Sequence, residues 1–421
     1  MSEMKIIDSA RSNDNGTMRS IVSILDYPHT ADVKHIGSGL GLVELPIPRP
    51  GKNQVLIKVA YAGVNRADTL QAAGHYPPPK GISNVLGLEC SGTIVAICHD
   101  DTADDVVDAH MADTYAHQSG GQAVGKQSSN DDVATKNSAA RAHVEMGARN
   151  RTDIAGVTRP LRIGDKVCAV VKGGAYGPYC VADKAAVFPL PTSYDLQKAA
   201  AIMEAAISAY YCLVERCRTR GGQTVLIHGG SGAVGTIAVQ MAAAMQLNVI
   251  TTAGSKERCK AVEKLARCTA LDYHDDIVTQ VKKLTDGKGV HCIIDVLGAG
   301  GLQANLDMLS YGGRLMILGL QKGVKTDINL LVPMNKALEI HAGTMRNMPR
   351  EIILGLRERL IRDVWPMLQE RDVVPVIDSV IPVGDAAKAH DRIRATSQQD
   401  APQRPFGKIV LEVDGAPHTR E

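Results

Sequence analysis

Gly230, Gly232 and Gly235 stand where an apolar run, Val225-Leu226-Ile227-His228, gives way to a long stretch of small residues reaching Met245. The spacing is G-x-G-x-x-G, and its context is a buried strand, a tight turn and a helix. In that context the three glycines have separate physical tasks. Gly230 allows the turn, Gly232 lets the backbone approach a pyrophosphate, and Gly235 lets the helix pack against the strand. The free N–H groups at the helix start, carried by Ser231, Ala233, Val234 and their neighbours, then face the phosphates. The chemistry expected here is dinucleotide binding.

A second strand over 248–253 should lie beside the first. A site preferring NAD places Asp or Glu about 20 residues beyond the glycines, on the ribose 2′-hydroxyl. This chain has Gly254-Ser255-Lys256 there, followed by Arg258. A hydroxyl and two cations suit a 2′-phosphate, and Arg can grip one with two parallel bonds. The cofactor expected is therefore NADPH. Glu257 is the one acid in the segment and is expected to point away on the first turn of the following helix.

These residues need a sheet to hold them. Strands are expected at 224–228, 248–253, 290–296 and 314–318, with helices at 233–246, 256–266, 275–284 and 301–309 between them. Strand alternating with helix means a doubly wound parallel sheet. A helical run of Ala, Ile, Met and Tyr over 197–214 precedes it, and one long helix over 351–369 follows. The N-terminal part reads differently. Short apolar or alternating strands at 19–25, 41–45, 54–60, 90–97, 166–171 and 179–182 are punctuated by Gly, Pro and Asn. This predicts a compact β-rich unit, which strands at 375–380 and 408–413 rejoin. The fold class is α/β, a Rossmann-type sheet plus a β-rich domain.

The chain's 421 residues suggest two or three domains and a sizeable core. The 47 basic and 45 acidic residues give a net charge of +2, which provides no strong pull toward nucleic acid or an acidic membrane. No apolar run approaches the roughly 18 residues of a membrane span. The polar, acid-containing N-terminus resembles neither a secretion signal nor a transit peptide. Nine cysteines without a CxxC pair favour reduced thiols, and a cytoplasmic location is expected. The segment 99–156 is rich in Asp, Ala, Ser, Gln and Asn and has little apolar periodicity, which predicts a disordered surface insertion. Its histidines, His99, His110, His117 and His143, lack the close spacing of a metal site.

Several ordered motifs resemble the zinc-independent quinone oxidoreductases of the medium-chain dehydrogenase/reductase superfamily. They are Gly63-Val64-Asn65-Arg66-Ala67-Asp68-Thr69-Leu70-Gln71, Gly74-His75-Tyr76-Pro77-Pro78-Pro79, Leu86-Gly87-Leu88-Glu89-Cys90-Ser91-Gly92, Arg162-Ile163-Gly164-Asp165-Lys166-Val167 and the closing Phe406-Gly407-Lys408-Ile409-Val410-Leu411-Glu412. The group most resembled is the tumour-suppressor-inducible, NADPH-dependent one. The resemblance covers the chain apart from about its first 17 residues and the insertion. It implies a GroES-like catalytic domain over 18–98 and 157–192 with a return over 347–415, the polar insertion 99–156, and a Rossmann NADPH-binding domain over 193–346. By resemblance, Asn65, Tyr76 and Ser208 are the catalytic-site residues near the nicotinamide. Tyr273 stacks beside the 2′-phosphate, Gly319 and Leu320 lie near the nicotinamide, and Phe406, Gly407 and Lys408 close over the cofactor. Zinc-dependent relatives carry a Cys near the position of Asn65 and a His where Leu88 stands, and their four-Cys loop is missing, so no metal is expected. Leu70 replaces a Tyr of some members, which bears on the quinone accepted. Relatives imply a homodimer or homotetramer.

The expected activity is hydride transfer from NADPH to a quinone, a small-molecule acceptor whose reduced form is aromatic and needs little Lewis-acid help. Protons can come from water or a nearby hydroxyl. Reduction of an α,β-unsaturated ketone or aldehyde is the enzyme alternative, since both acceptors are electron-poor conjugated carbonyls. The alternative of another class is a nucleotide- or RNA-binding protein with little catalysis. The balanced charge and the lack of a basic, aromatic stripe argue against RNA.

Overall fold

The computed structural model describes residues 17–26, 33–98, 159–191, 194–395 and 404–413. The polar insertion expected over 99–156 lies outside the described residues. No described helix is long and apolar enough to cross a membrane.

Two large sheets organise the chain. The first has six strands in the order Thr269–Asp272, Asn248–Ala253, Thr224–Ile227, Val290–Asp295, Leu309–Ile317 and Glu339–Ala342. Every pairing is parallel, with Thr224–Ile227 at the centre between Asn248–Ala253 and Val290–Asp295. The central strand carries Val225, Leu226 and Ile227, all buried, because helices cover both faces. The helix Ala233–Ala244 packs against this sheet. Its residues from Gly235 to Ala242 are buried, and small side chains allow the close approach. The doubly wound sheet expected of this region is present.

The second sheet runs Ile377–Pro382, Lys408–Glu412, Gln54–Gly63, Glu89–Ile97, Lys166–Val170 and Val187–Pro189, and Tyr179–Asp183 also pairs with Gln54–Gly63. All its pairings are antiparallel except that of Ile377–Pro382 with Lys408–Glu412. The C-terminal strands thus do rejoin the N-terminal ones. A small sheet of Thr17–Ser23, Leu40–Pro46 and Lys34–Gly37 stands beside it.

Several elements differ from expectation. The single helix read over 197–214 is three pieces: Leu196–Ala199, Met203–Tyr210 and a π-helical turn, Tyr211–Arg216. Asp195 caps the first piece by accepting from the Lys198 N–H at 2.7 Å. The Glu204 N–H donates to Glu89 of the other sheet, so the second piece starts on a tertiary contact. The helix read over 351–369 breaks at Val364, between Arg350–Asp363 and Trp365–Gln369. Pro366 lacks an N–H and disfavours helical backbone before it. The strands Thr269–Asp272 and Glu339–Ala342 and the helices Arg66–Ala72 and Ala386–Arg394 are additional to the sequence reading.

Candidate active site

A cleft of about 1880 Å³ is lined by residues of both large sheets, beyond the roughly 300–1,000 Å³ of an ordinary small-molecule pocket, so it suits an extended ligand. The glycine turn forms one wall. A Cβ on Gly230 would lie 2.1 Å from the Thr251 hydroxyl oxygen, and one on Gly235 would lie 2.1 Å from the Gly229 carbonyl oxygen. The packing of the turn itself forbids side chains at these two positions. Gly232 is different. Its Cβ would meet only the Gly229 carbonyl, at 3.4 Å, and Gly232 lines the cleft. The space a side chain would take there is open, as a cradle for a close-lying phosphate requires. The first helical bond runs from the Thr236 N–H to the Gly232 carbonyl at 2.9 Å, so the N–H groups of Ala233, Val234 and Gly235 precede the ladder. All three residues, with Ser231, line the cleft, while Gly230 supports from behind. His228, just before the turn, is fixed by Asn305 (2.8 Å) and Thr252 (3.2 Å), and burial holds its pKa below the usual imidazole range.

Beyond the turn the positively charged residues separate into two groups. Ser255 caps the helix Lys256–Glu263, and both Ser255 and Lys256 stand off the cleft wall. Glu257 is exposed, but its carboxylate is held below its usual pKa by its own N–H and by the Ser255 hydroxyl. It therefore folds back onto the helix start rather than away from it. Arg258, Tyr273 and Arg404 do line the cleft. The Arg258 guanidinium donates to the main-chain carbonyls of Arg404 and Pro405 and lies over the Phe406 ring. The Arg404 guanidinium donates to the Tyr273 hydroxyl. Burial, then the Arg404 charge, lowers the pKa of both Arg258 and Arg66, another cleft residue. Three guanidinium groups thus share one stretch of wall. Arg404 was not singled out in the sequence; its signal is its place two residues before Phe406.

The segment after Arg404 fastens the two sheets together. The Gly407 N–H donates to the Ser231 carbonyl at 2.9 Å, and Gly407 pairs with Gly232 in an isolated parallel bridge. Gly407 has φ +90°, and a Cβ there would lie 2.2 Å from the Val376 carbonyl oxygen, so the position requires glycine. Gly319 and Leu320 line the cleft, as expected of neighbours of the strand Leu309–Ile317.

At the other end of the cleft Asn65, Tyr76, Ser208, Leu88 and Glu204 line the wall. Asn65 is buried at the start of the helix Arg66–Ala72, in a capping box with Asp68. Both N–H donors of its amide are committed, and its oxygen accepts once. Nδ2 donates to Glu89 at 3.0 Å and to the Gly63 carbonyl at 3.4 Å, while Oδ1 accepts from the Lys408 ammonium at 2.7 Å. Lys408, expected over the cofactor, points inward instead, buried against Glu89 with Nζ 2.5 Å from Oε1. Against the burial that would lower it, the charge of Glu89 and its hydrogen bond hold the ammonium above its ordinary pKa. The other Glu89 oxygen accepts from the Glu204 N–H at 3.0 Å. Ser208 donates to Glu204 Oε1 at 3.3 Å, and Glu204 Oε2 is shielded from water with no hydrogen-bond partner. Tyr76 packs under Arg346, whose guanidinium lies 5.2 Å from the ring centroid and donates to the Tyr76 carbonyl at 3.0 Å. The sequence reading brought Asn65, Tyr76 and Ser208 forward; Glu89, Lys408 and Glu204 complete a network it did not contain. Among the described residues, no group of three or more His, Cys, Asp or Glu side chains is placed to hold a metal ion.

A glycine cradle on a parallel sheet, facing a β-rich half across a cleft, is the arrangement of a nucleotide-dependent oxidoreductase. Residues 51–192 match the alcohol dehydrogenase GroES-like domain family, and residues 233–358 match the zinc-binding dehydrogenase family. A quinone oxidoreductase of Rattus norvegicus is 30% identical over 373 residues, covering 87% of this chain and 92% of the relative. A quinone oxidoreductase of Lama guanicoe is 28% identical over 371 residues, covering 87% of this chain and 91% of the relative. A mycobacterial protein solved in complex with NADPH shares the fold, with a TM-score of 0.68 at 23% identity, over 94% of this chain and 99% of that one. The chain belongs to the quinone oxidoreductase family of the medium-chain dehydrogenase/reductase superfamily.

Proposed function

We propose that this oxidoreductase uses NADPH to reduce a quinone. The observation that carries the cofactor reading is the open cradle at Gly232 continuing along the wall to Arg258, Arg404 and Tyr273. Gly232 and the N–H groups of Ala233, Val234 and Gly235 hold the pyrophosphate. Arg404 and Tyr273, with Arg66 nearby, hold the 2′-phosphate; a dianion there relieves the repulsion among the guanidinium groups. Arg258 holds the segment that presents Arg404. Ser255 and Lys256 stand at the helix start and make no direct contact, since Ser255 is already engaged with Glu257 and the helix N–H groups.

When bound, the nicotinamide supplies a hydride. The chain's own part is to orient the acceptor and exclude water. Tyr76, fixed by Arg346, offers an aromatic face to a flat acceptor. Gly319 and Leu320 line the cleft past the end of Leu309–Ile317, on the same edge of the parallel sheet as the turn. Asn65 acts by holding Lys408 and Glu89 in place, since both of its N–H donors are spent and its Oδ1 already accepts from Lys408. The test is a screen of an ortho-quinone, a para-quinone, an enone and a simple alcohol with NADPH and NADH side by side. Quinone reduction with NADPH is the expected result. Turnover of the enone alone would reassign the acceptor, and preference for NADH would reassign the cofactor.

A further inference from the structure

Three carboxyl groups and one ammonium share the buried end of the cleft. Asp68, Glu89 and Lys408 are buried, and Glu204 stands partly buried on the wall. The ammonium is already assigned. Lys408 donates to Glu89 and to Asn65, and no bond from it to Glu204 is made. Glu89 takes three donors, from Asn65, Lys408 and the Glu204 main chain. Among the described residues the Glu204 side chain has only the Ser208 hydroxyl. One positive charge cannot balance three negative ones where water is excluded, so Glu89 keeps the charge that pairs with Lys408, Asp68 holds its proton up to about pH 7, and Glu204, the carboxyl with the poorest partners, stays protonated too. The groups that face Glu204 agree. Lys408 from the strand Lys408–Glu412 favours its ionised form, and so does Ser208 from its own helix. Glu89 from the strand Glu89–Ile97 disfavours it, as does burial, the largest influence, and the outcome is a pKa above the ordinary carboxylate range. The Cys212 thiol, further along the same helical run, is pushed well above its usual value and brings no charge. A protonated Glu204 has an O–H to donate; its Oε2 is shielded in this conformation with no partner among the described residues, so a turn of the carboxyl about its last bond is what brings the O–H to the cleft. The wall it stands on is the cleft wall of Ser208 and Asn65.

We propose that Glu204 is the acid that protonates the reduced acceptor. The proposal rests on the quinone-reductase reading above. The hydride brings two electrons and one proton to the quinone, leaving negative charge on a ring oxygen. The Glu204 O–H bond breaks and a new O–H bond forms on that oxygen, which completes the hydroquinone. The carboxylate left behind is stabilised by the Lys408 charge and the Ser208 hydroxyl. A proton from water restores the acid before the next turnover. Glu89 cannot take this role, since both of its oxygens are held by donors.

The experiment uses the full-length protein and the variants E204Q and E204D. The first readout needs no turnover: the infrared carbonyl stretch of a protonated carboxylic acid, followed against pH in the protein alone. It is expected at neutral pH in wild type, reduced in E204Q to the part that Asp68 contributes, and absent in E204Q combined with D68N. The second is steady-state turnover with NADPH and an ortho-quinone, across pH and in heavy water. E204Q is expected to bind NADPH with unchanged Kd, to lose on the order of 10²–10³-fold in kcat, and to lose the fall of kcat at high pH. E204D should recover part of the rate and the pH dependence. Loss of kcat in E204Q below threefold, with the pH profile intact, overturns the assignment, and so does an E204Q spectrum whose band is undiminished, or a D68N spectrum that has lost it altogether. A wild type that reduces enones but not quinones overturns the acceptor reading instead; the same variants then judge Glu204 on the enone reaction.

Discussion

Arg258 donates through both terminal nitrogens to the main-chain carbonyl of Arg404, at 3.3 and 3.2 Å, 146 residues further along the chain. A third bond, 2.7 Å to the Pro405 carbonyl, completes the grip. The cation that the sequence offers for a 2′-phosphate is therefore occupied in fixing the segment that carries a second cation. This splits two effects that a reading from sequence would assign to Arg258 alone. Arg404→Ala should weaken NADPH by about 10–100-fold, the worth of one charged hydrogen bond of roughly 1.5–3 kcal/mol, and leave NADH within about threefold. Arg258→Ala should weaken both nucleotides, since it also frees the segment whose Gly407 bonds Ser231. Fluorescence titration of each variant with NADPH and NADH decides; selective loss of NADPH in Arg258→Ala, with Arg404→Ala silent, would reverse the two roles.

The Lys408–Glu89 pair makes a second prediction. Both side chains are buried to within 1% exposure, so removing one charge strands the other away from water. Lys408→Met should cost about 3–5 kcal/mol of stability. The double variant Lys408→Met, Glu89→Gln removes both charges and should recover much of that loss. Denaturant unfolding of the two variants measures the difference, and equal stability would mean that the stranded carboxylate is not the source of the cost.

This pair also marks where the sequence stops being legible. The glycine turn could be read because strand, turn and helix are contiguous, and the parallel sheet because its strands and helices alternate at regular intervals. Lys408 and Glu89 are 319 positions apart, and only the topology that lays Lys408–Glu412 beside Gln54–Gly63 brings them together. A signal was present: each is a charged residue at the head of an apolar strand, and a charge in such a place needs a partner. The helix Arg66–Ala72 likewise had a local mark, Asn65 with Asp68 three residues on, the spacing of a capping box. The π-turn at Tyr211–Arg216 had none. Its i to i+5 bond, from the Cys217 N–H to the Cys212 carbonyl, is set by how the helix ends against the sheet.

Stability should respond to pH through two buried groups that act in opposite senses. His390 is fully buried, neither ring nitrogen has a hydrogen-bond partner among the described residues, and burial lowers its pKa to about 4. The folded form binds its proton more weakly than the unfolded chain does, so stability is lost as pH falls from about 6.5 to about 4. Asp68 is raised to about 7, chiefly by burial, despite bonds from the Asn65 N–H and the Tyr176 hydroxyl. The folded form binds that proton more tightly, so stability is lost as pH rises from 3.8 to about 7. At about 1.36 kcal/mol per pKa unit, each contributes on the order of 3–4 kcal/mol, and between pH 4 and 6.5 they largely offset. His390→Phe should uncover the Asp68 dependence, giving a Tm that falls steadily from pH 4 to pH 7. Asp68→Asn should uncover the opposite slope. Thermal unfolding across that range tests both; a flat profile in either variant would contradict the assignment of that slope.

The glycine turn permits the sharpest separation of fold from function. Gly235 has no room for a methyl group, because the Gly229 carbonyl oxygen would lie 2.1 Å from its Cβ, and backbone cannot yield as a side-chain end can. Gly232 has φ −84° and ψ 176°, a conformation any residue adopts, and its Cβ would meet a single atom, at 3.4 Å. If the turn existed only for the fold, Ala would be accepted at Gly232. Gly232→Ala should therefore leave Tm within about 2 °C, since a surface change without a new clash costs under roughly 0.5 kcal/mol. The same variant should weaken dinucleotide binding at least about tenfold, because the methyl group fills the space through which the pyrophosphate approaches the helix start. Gly235→Ala should lower both Tm and binding, the second as a consequence of the first. Calorimetric unfolding and NADPH titration on the two variants give the four numbers required. If Gly232→Ala binds NADPH as wild type does, the open space at Gly232 is not the phosphate cradle, and the cofactor lies elsewhere along the cleft.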